Sequence, residues 1–410
     1  MNKKTIRDVD VAGKRVLVRV DFNVPIEQGR ITDDTRLRAT LPTIQELIQR
    51  SARVILLSHL GRPDGKVREE LRLAPVAERL AELLGQPVHY VRDCLGPEVE
   101  RAVQELQPGE VLLLENVRFY PEEEKNDPEF ARRLAALGDL FVNDAFGAAH
   151  RAHASTAGIA HYLPAIAGLL MERELEFLSR TLEHPRRPFT ALIGGAKVST
   201  KIKVLDHLLQ KVDRLLIGGG MANTFLKAQG YEVGRSLLEP EFVEYAAALL
   251  QRARHRGVTL LLPVDAVVAP AAAPEAPRQI VDVARVPSDM MILDIGPRTV
   301  ELFAQHLRES ATILWNGPVG LFEVPPFAEG TRALAEVIAE ATRHGAISIV
   351  GGGDTVAAVE QMGLGTQMTH LSTGGGAALE LLEGRELPGV AALQDRSTAG
   401  APDAGHQMQE

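Results

Sequence analysis

The chain has 410 residues, of which 45% are hydrophobic and 24% charged, a globular composition long enough for two or three domains. Its formal net charge of −9 argues against a general nucleic-acid or membrane binder, because such proteins usually carry a basic excess. Cys94 is the only cysteine, which excludes intrachain disulfides, and the first residues do not resemble a secretory signal, so we expect a cytoplasmic protein.

The first half of the chain alternates predicted strands with amphipathic helices. Strand-like runs occur in KRVLVRVDFNVP, RVILLSHLGRP, EVLLLENVRF and DLFVNDAFG, and helical periodicity occurs in ATLPTIQELIQR, LAPVAERLAELLG and DPEFARRLAALG. This alternation predicts a parallel sheet covered by helices on both faces. In such sheets ligands bind beyond the carboxyl ends of the strands, where these runs end in polar residues.

A charged helical stretch, MERELEFLSRTLEHPRRP, is typical of a connector and precedes a second series of strands. That series comprises FTALIGG, VDRLLIGGG, VTLLLPVDAV, ATILWNGPVG and AISIVGGGDT. We therefore predict an α/β fold of two doubly wound parallel-sheet (Rossmann-like) domains joined by a helical hinge. The domains are expected at residues 1–171 and 190–384 with the connector at 172–190, and residues 397–410 are expected to form a disordered tail because they lack apolar periodicity.

Basic side chains follow the predicted strands of the first half. They are Arg36, His59, Arg62, Arg118 and Arg151, and the first loop adds Asp21 and Asn23. Guanidinium groups match carboxylate and phosphate oxygens, so we expect an anionic small molecule here. Asp21 would accept a hydrogen bond from a ligand hydroxyl or orient an arginine. His150 and His153 have metal-ligand spacing, but no carboxylate or cysteine completes a site nearby, which favours packing and hydrogen bonding.

Glycines follow the predicted strands of the second half, in IGGAKVSTK, IGGGMANT, WNGPVGLFE, IVGGGDT and STGGGAALE. Without Cβ the backbone can approach a ligand, and its N–H groups at a helix start bind phosphate, so these loops predict a nucleotide site. A Walker motif is absent, because Lys66 is not followed by Ser or Thr. A dinucleotide fingerprint is also absent, because Asn223 occupies the position of its last glycine.

Four polar residues of the second half suit the parts of a nucleotide. Asp354 could hold Mg²⁺ on the phosphates or cap the following helix. Lys197 and Lys201 lie at a predicted helix start, where the helix dipole disfavours cations unless an anion is bound, and this suggests phosphate contact. Glu323 suits a ribose hydroxyl.

Taken in order, the motifs resemble those of the phosphoglycerate kinase family over residues 5 to about 392. The resemblance is carried by RVDFNVP, SHLGRP, ENVRF, VNDAFGAAHRAHAST, GGAKVSTK, GGGMANTFLK, NGPVGLFE, VGGGDT and TGGGAALELLEG. It implies Mg-dependent phosphoryl transfer between 1,3-bisphosphoglycerate and ADP, giving 3-phosphoglycerate and ATP.

The resemblance also implies residue roles. The first domain would bind 3-phosphoglycerate through Asp21, Asn23, Arg36, His59, Arg62, Arg118 and Arg151. The second would bind Mg-ATP or Mg-ADP through Lys201, Gly219, Gly220, Gly296, Asn316, Glu323, Gly352, Gly353, Asp354 and Thr355, with Asp354 as the metal ligand. Arg36 and Lys197 would flank the transferred phosphoryl group, and Gly374, Gly375 and Gly376 would add the N-terminus of a helix. The segment 385–396 would pack back onto the first domain, and domain closure would join the two ligands.

Two other functions remain open. One is a kinase of another small phosphorylated carboxylate, and the other is a nucleotide-dependent binding protein with a degraded site. The second predicts the loss of Arg36, Lys197 or Asp354, and all three are present. We expect a monomer, because no long apolar surface stretch occurs, with no nucleic-acid or membrane partner.

Overall fold

The computed structural model describes residues 2–396, so the predicted tail at 397–410 lies outside the described residues. The chain divides into two compact units. The first is formed by the residues up to Arg173 together with those from Pro388 on, and the second by Glu174–Leu387.

The first unit is built around a six-stranded parallel sheet. The strands of the first unit, in chain order, are β1 (Arg15–Arg19), β2 (Ile26–Glu27), β3 (Arg30–Ile31), β4 (Arg53–Leu57), β5 (Val88–Tyr90), β6 (Val111–Leu113), β7 (Leu140–Asn143) and β8 (Ala165–Ala167). β2 and β3 form a separate hairpin, and the others pair in the order β5-β6-β4-β1-β7-β8. The strand order reverses at β1, which lies between β4 and β7, so the loops after these strands flank the switch point where ligands bind in such sheets.

Helices cover this sheet with apolar stripes. They are α1 (Thr35–Gln49), α2 (Ala74–Leu84), α3 (Pro97–Glu105), α4 (Pro121–Glu124), α5 (Pro128–Ala135) and α6 (Leu169–Glu183), and the boundary between the units falls inside α6. Leu37, Ile44 and Leu47 recur at helical spacing on α1 and pack in one core cluster with Val16 and Val18 of β1. The β-branched side chains of β1 therefore pack against α1 and α2, and these helices cover one face of the sheet.

The second unit has a similar six-stranded parallel sheet and a smaller antiparallel one. Its strands are β9 (Phe189–Ile193), β10 (Arg214–Ile217), β11 (Thr259–Leu261), β12 (Asp265–Ala269), β13 (Gln279–Asp282), β14 (Met291–Ile295), β15 (Thr312–Asn316), β16 (Ile347–Gly351) and β17 (His370–Leu371). The parallel sheet has the order β11-β10-β9-β15-β16-β17, and β13-β12-β14 form the antiparallel sheet.

Seven helices of the second unit are α7 (Ile202–Leu209), α8 (Met221–Ala228), α9 (Val243–Arg256), α10 (Pro297–Arg308), α11 (Glu329–Arg343), α12 (Gly353–Gln361) and α13 (Gly376–Leu382). Trp315 of β15 is fully buried and packs in one cluster with Phe303 of α10 and Leu334 of α11. The last helix, α14 (Pro388–Ala391), belongs to the first unit, where the Gly389 N–H donates to the Ala149 carbonyl at 2.8 Å.

The fold class predicted from the sequence is confirmed, since both units contain a parallel sheet with helices. One strand prediction was wrong: VTLLLPVDAV is not a single strand but contributes β11 to the parallel sheet and β12 to the antiparallel one. Pro263 lies in the break, where its missing N–H cannot extend a ladder. Within residues 2–396, no helix combines the length and the apolar character needed to cross a bilayer.

Candidate active site

The polar residues predicted for the first unit lie beyond the carboxyl ends of its strands. They follow β1 (Asp21, Asn23), β4 (His59, Arg62), β6 (Arg118) and β7 (Arg151), or begin α1 (Arg36). Parallel strands end at the same edge of a sheet, so these residues share one edge of the first unit.

Hydrogen bonds fasten the loops after β1, β4 and β6 to one another. Asn23 Oδ1 accepts a hydrogen bond of 2.9 Å from the Gly61 N–H, and Arg118 Nη1 donates to the Gly61 carbonyl at 3.1 Å. The Phe22 N–H donates to Ser58 Oγ at 3.0 Å. The three loops therefore hold their polar side chains in fixed relative positions.

Arg36 is oriented by the loop after β1. Its Nη1 donates to the Asn23 carbonyl at 2.7 Å and lies 3.4 Å from Asp21 Oδ1, while 37% of the side chain stays exposed. Asp21 thus orients an arginine, one of the two roles that the sequence suggested for it. The remaining Arg36 donors are available for a ligand.

The other guanidinium groups also have free donors. Arg62 and Arg151 are exposed and form no ion pair within residues 2–396. Arg118 is buried; its Nε lacks a hydrogen-bond partner in the described part of the chain and lies 3.6 Å from Glu124 Oε1. Burial lowers the pKa of Arg118, partly offset by Glu124 and Glu123. A buried cationic donor without a partner is costly, so an anion bound here would stabilise it.

A buried network behind these residues was not predicted from the sequence. Arg19 is fully buried; its Nε donates to Ser155 Oγ at 2.8 Å, and its Nη2 lies 2.9 Å from His59 Nδ1. Ser155 Oγ donates to Glu123 Oε2 at 2.7 Å. The available signal was Arg19 itself, a cation inside the apolar run RVLVRV. Glu123 gave none, because the run PEEEK looks like a solvated acidic surface.

The histidine pair is divided between two environments. Burial, with Arg118 next, lowers the pKa of His153 to about 4, and its Nδ1 lies 3.9 Å from Glu123 Oε2, too far for a hydrogen bond. His150 is partly exposed. Neither belongs to a group of three or more potential metal ligands, and no such group occurs within residues 2–396.

In the second unit the glycine loops contact one another through their backbones. The Gly195 N–H donates to the Pro318 carbonyl at 2.9 Å, the Gly219 N–H donates to the Val319 carbonyl at 3.1 Å, and the Met221 N–H donates to the Gly195 carbonyl at 3.0 Å. The loops after β9, β10 and β15 therefore form one surface, which a side chain at Gly219 would force apart.

This surface forms part of a cavity of about 240 Å³. Leu226 of α8, Ile292 and Leu293 of β14, and Leu321 give it apolar walls. Four of the predicted nucleotide-binding residues line it, namely Gly219, Gly220, Glu323 and Asp354. A cavity with apolar walls and few polar groups suits a planar base with its ribose.

The other predicted polar residues connect the ends of β15 and β16. Lys201 Nζ donates to Asn316 Oδ1, and Asn316 Nδ2 donates to the Gly351 carbonyl at 3.1 Å. Thr355 Oγ1 accepts a hydrogen bond of 2.8 Å from the Gly317 N–H. Burial lowers the pKa of Lys201, and Asp354 partly opposes this shift. Lys201 thus lies within electrostatic range of Asp354.

Lys197 and Gly375 lie at loop positions of the same unit. Lys197 follows β9 with an exposed side chain. Gly375 precedes α13 with a φ of +49°, and apart from its chain neighbours no atom of residues 2–396 lies within 4 Å of a Cβ built there, so the backbone is open to a ligand. Glu174 fixes the preceding turn, accepting hydrogen bonds from Ser372 Oγ and the Thr373 N–H at 2.8 Å each.

Gly296, like several other predicted nucleotide-binding residues, does not line the cavity. A Cβ at this position would lie 2.3 Å from Asp265 Cγ. The Asp265 carboxylate accepts hydrogen bonds from the Arg298 and Thr299 N–H groups at the start of α10. Packing against this carboxylate therefore explains the glycine, and a nucleotide contact at Gly296 stays a prediction.

Comparison with known proteins shows the family to which the chain belongs. The family model for phosphoglycerate kinase matches residues 6–385. Phosphoglycerate kinases of Chloroflexus aggregans and Moorella thermoacetica are 62% and 60% identical to the chain over 398 and 396 residues, covering 96% and 97% of it and 100% of each relative. The structure of phosphoglycerate kinase from Coxiella burnetii superposes with a TM-score of 0.88 at 46% identity, and that from Pyrococcus horikoshii OT3 with 0.79 at 36%, each covering 95% of this chain and 98% of the other. Together with the cationic and glycine-rich loops, these matches show that the chain belongs to the phosphoglycerate kinase family and is a kinase.

Proposed function

We propose that the chain transfers a phosphoryl group reversibly between 1,3-bisphosphoglycerate and ADP, giving 3-phosphoglycerate and ATP in glycolysis and gluconeogenesis. The observation that carries this proposal is the pairing, in one chain, of a cationic sheet edge with a glycine-lined cavity. The first suits a small phosphorylated carboxylate and the second a nucleotide. We further propose that the enzyme acts as a cytoplasmic monomer.

The first unit binds 3-phosphoglycerate through its cationic edge. The unpartnered Nε of Arg118 and the exposed guanidiniums of Arg62 and Arg151 supply donors for phosphate and carboxylate oxygens. Asn23, His59 and Asp21 orient the carbon chain and its hydroxyl. Arg36 reaches the group that is transferred.

The second unit binds ATP or ADP. The base and ribose occupy the cavity, where Glu323 accepts a hydrogen bond from a ribose hydroxyl. The phosphates lie at the start of α12, where the Gly352, Gly353 and Thr355 backbone and the helix dipole favour negative charge. Lys201 and Asn316 form the adjoining wall.

Asp354 fits a magnesium site completed by the nucleotide. Asp354 is exposed in the first turn of α12 and lines the cavity, and within residues 2–396 it belongs to no group of three or more potential metal ligands. Mg²⁺ prefers oxygen ligands and is usually held by one or two carboxylates with substrate phosphates and water. Bound there, the metal would neutralise charge on the transferred group.

Chemistry in this site requires positioning rather than proton transfer. The carboxylate of 3-phosphoglycerate is already ionised, so no general base is needed. Arg36 and Lys197 bind the equatorial oxygens of the transferred group from its two sides, and the backbone N–H groups after Gly375 add further donors. Aligning donor and acceptor in one line converts the reaction to an intramolecular step.

We propose that the two units close about residues 172–190 when both ligands are bound, because transfer requires the ligands to meet and water to be excluded. Small-angle scattering should then give a smaller radius of gyration with both ligands than with either alone. An unchanged radius would contradict closure.

A coupled assay with purified chain tests the function as a whole. We expect turnover of ATP with 3-phosphoglycerate in the presence of Mg²⁺ and none when the metal is chelated. Glycerate and other small carboxylates serve as competing acceptors. Faster turnover of another carboxylate, or nucleotide binding without turnover, would contradict the proposal.

A further inference from the structure

We propose that Arg19 is a positioning residue that presents His59 to the substrate as a neutral imidazole with its proton on Nε2. The inference rests on the proposed function for the role of His59 in substrate binding. The assignment of the ring proton rests on contacts inside the first unit alone.

The assignment follows from which atoms can donate. Arg19 ends β1 and is fully buried, and its Nη2 lies 2.9 Å from His59 Nδ1. A guanidinium carries N–H donors, has no acceptor and does not lose its proton in proteins. His59 Nδ1 must therefore accept the hydrogen bond and carry no proton of its own, which leaves the proton of the neutral ring on Nε2.

The charges around His59 oppose a second proton. Burial, followed by the charges of Arg19, Arg118 and Arg36, holds the pKa of His59 well below its usual value. Within residues 2–396, no hydrogen bond engages Nε2. His59 therefore offers a neutral N–H donor to an anionic ligand, and its contribution does not depend on protonation near neutral pH.

A buried chain of hydrogen bonds fixes Arg19 itself. Its Nε donates to Ser155 Oγ at 2.8 Å and its Nη1 donates to the Val20 carbonyl. Glu123, fully buried, accepts from Ser155 Oγ at 2.7 Å and from the Ser155 N–H at 2.8 Å. Burial raises the pKa of Glu123, and the charge of Arg19 and these two hydrogen bonds oppose that shift. The buried guanidinium and the carboxylate thus stabilise each other's charged form. The chain Glu123–Ser155–Arg19–His59 thus links α4, the loop after β7 and β1 to the substrate-facing ring.

NMR of the ring nitrogens, in full-length protein with isotope-labelled histidine, measures the tautomer directly. The variant His59→Gln identifies the His59 resonances. At neutral pH we expect Nδ1 of His59 to resonate as an unprotonated ring nitrogen and Nε2 as a protonated one. Arg19→Met alone strands the Glu123 charge and can prevent folding, so the decisive variant is Arg19→Met with Glu123→Gln, which removes both charges. In this double variant the His59 ring should interconvert between its two tautomers, so that neither nitrogen is permanently protonated.

Kinetics separate positioning from general loss of structure. In the double variant the KM for 3-phosphoglycerate should rise about tenfold, the scale of one hydrogen bond to a charged group, while the KM for ATP stays unchanged. Arg19→Lys, which keeps a cationic donor, should restore the Nε2 tautomer. Arg15→Met, at the partly exposed start of the same strand, is the matched control and should change neither the His59 tautomer nor the KM for 3-phosphoglycerate.

Two results would overturn the proposal: a wild-type His59 protonated on Nδ1 or on both nitrogens at neutral pH, or a double variant with the wild-type tautomer. If instead the tautomer depends on Arg19 but added 3-phosphoglycerate leaves the His59 resonances unmoved, the positioning role stands and the proposed substrate contact fails.

Discussion

A Cβ atom at Gly219 would lie 2.6 Å from the carbonyl oxygen of Gly195, so the loops after β10 and β9 meet backbone to backbone. Gly219 also has a φ of +72°, which L side chains rarely adopt. Gly219→Ala should therefore lower the free energy of unfolding by about 2–4 kcal/mol, from backbone strain and overpacking together. Because both loops line the cavity, ATP binding should weaken while 3-phosphoglycerate binding is unchanged, which denaturant unfolding and titration calorimetry would measure.

Gly230→Ala is the control for this prediction. Gly230 has a φ of +94° in the same unit, but in the described part of the chain only its sequence neighbours lie within 4 Å of a Cβ built there. It should lose only the conformational term, about 1–2 kcal/mol, and bind ATP as the wild type does. Equal effects of the two variants on ATP affinity would show that the contact between the glycine loops is unimportant.

Arg36→Ala should reduce kcat by at least ~10²-fold, the scale of losing one preorganised donor to developing charge. The reason is that Arg36 donates one hydrogen bond to the Asn23 carbonyl, which orients the guanidinium, and its other N–H groups can bind the transferred group. Arg38→Ala is the control, since Arg38 is exposed on the same helix and pairs with Asp34 at 3.0 Å. A kcat for Arg36→Ala close to that of Arg38→Ala would reject the assigned role.

The sequence predicted the fold well where periodicity was strong. Long strands such as β1, β4, β9 and β16 end in recognisable polar or glycine loops, and their parallel pairing follows from the helices between them. The short strands β5, β8 and β17, with two or three residues each, are too brief to show periodicity. The antiparallel sheet was missed because its strand β12 continues the apolar run of β11 in the sequence.

For the candidate site, the sequence indicated side chains at strand ends but not the network that supports them. Arg19, Ser155 and Glu123 come from three separate segments, and their contacts exist only once the chain is folded. Gly296 illustrates the opposite difficulty, because a glycine that makes room for Asp265 looks in sequence like one that makes room for phosphate.

The stability of the first unit should carry an unusual pH dependence from Asp144. Its Oδ1 accepts hydrogen bonds from the Leu170 and Met171 N–H groups at the start of α6, yet burial raises its pKa from 3.8 to about 6. The native state then keeps the proton to higher pH than the unfolded chain does. From pH 3.8 to about 6 the free energy of unfolding of the wild type, relative to Asp144→Asn, should fall by roughly 3 kcal/mol and then level off.

Asp139→Asn is the control of opposite sign. Asp139 is partly exposed, and its hydrogen bond from Arg15 lowers its pKa. Its contribution to stability is present above the unfolded pKa of 3.8 and is lost as the pH falls below that value. The difference between the wild type and this variant should therefore stay level from pH 3.8 to about 6 and shrink at lower pH. Unfolding in urea from below pH 3.8 to about 6 measures both differences, and parallel curves for the wild type and Asp144→Asn would refute the first.

Asp354→Asn should separate the metal requirement from substrate binding. The variant keeps the size and the helix-capping capacity of the side chain but removes the charge that we propose to hold Mg²⁺ on the nucleotide phosphates. We expect kcat to fall about 10²-fold and the Mg²⁺ concentration for half-maximal rate to rise, because charge neutralisation at the transferred group is weakened. The KM for 3-phosphoglycerate should not change, since Asp354 lies in the second unit.

Glu360→Gln removes an exposed charge from the same helix and should leave the Mg²⁺ dependence as in the wild type. If titration with Mg²⁺ gave the same curve for Asp354→Asn and Glu360→Gln, the metal would have to be held elsewhere.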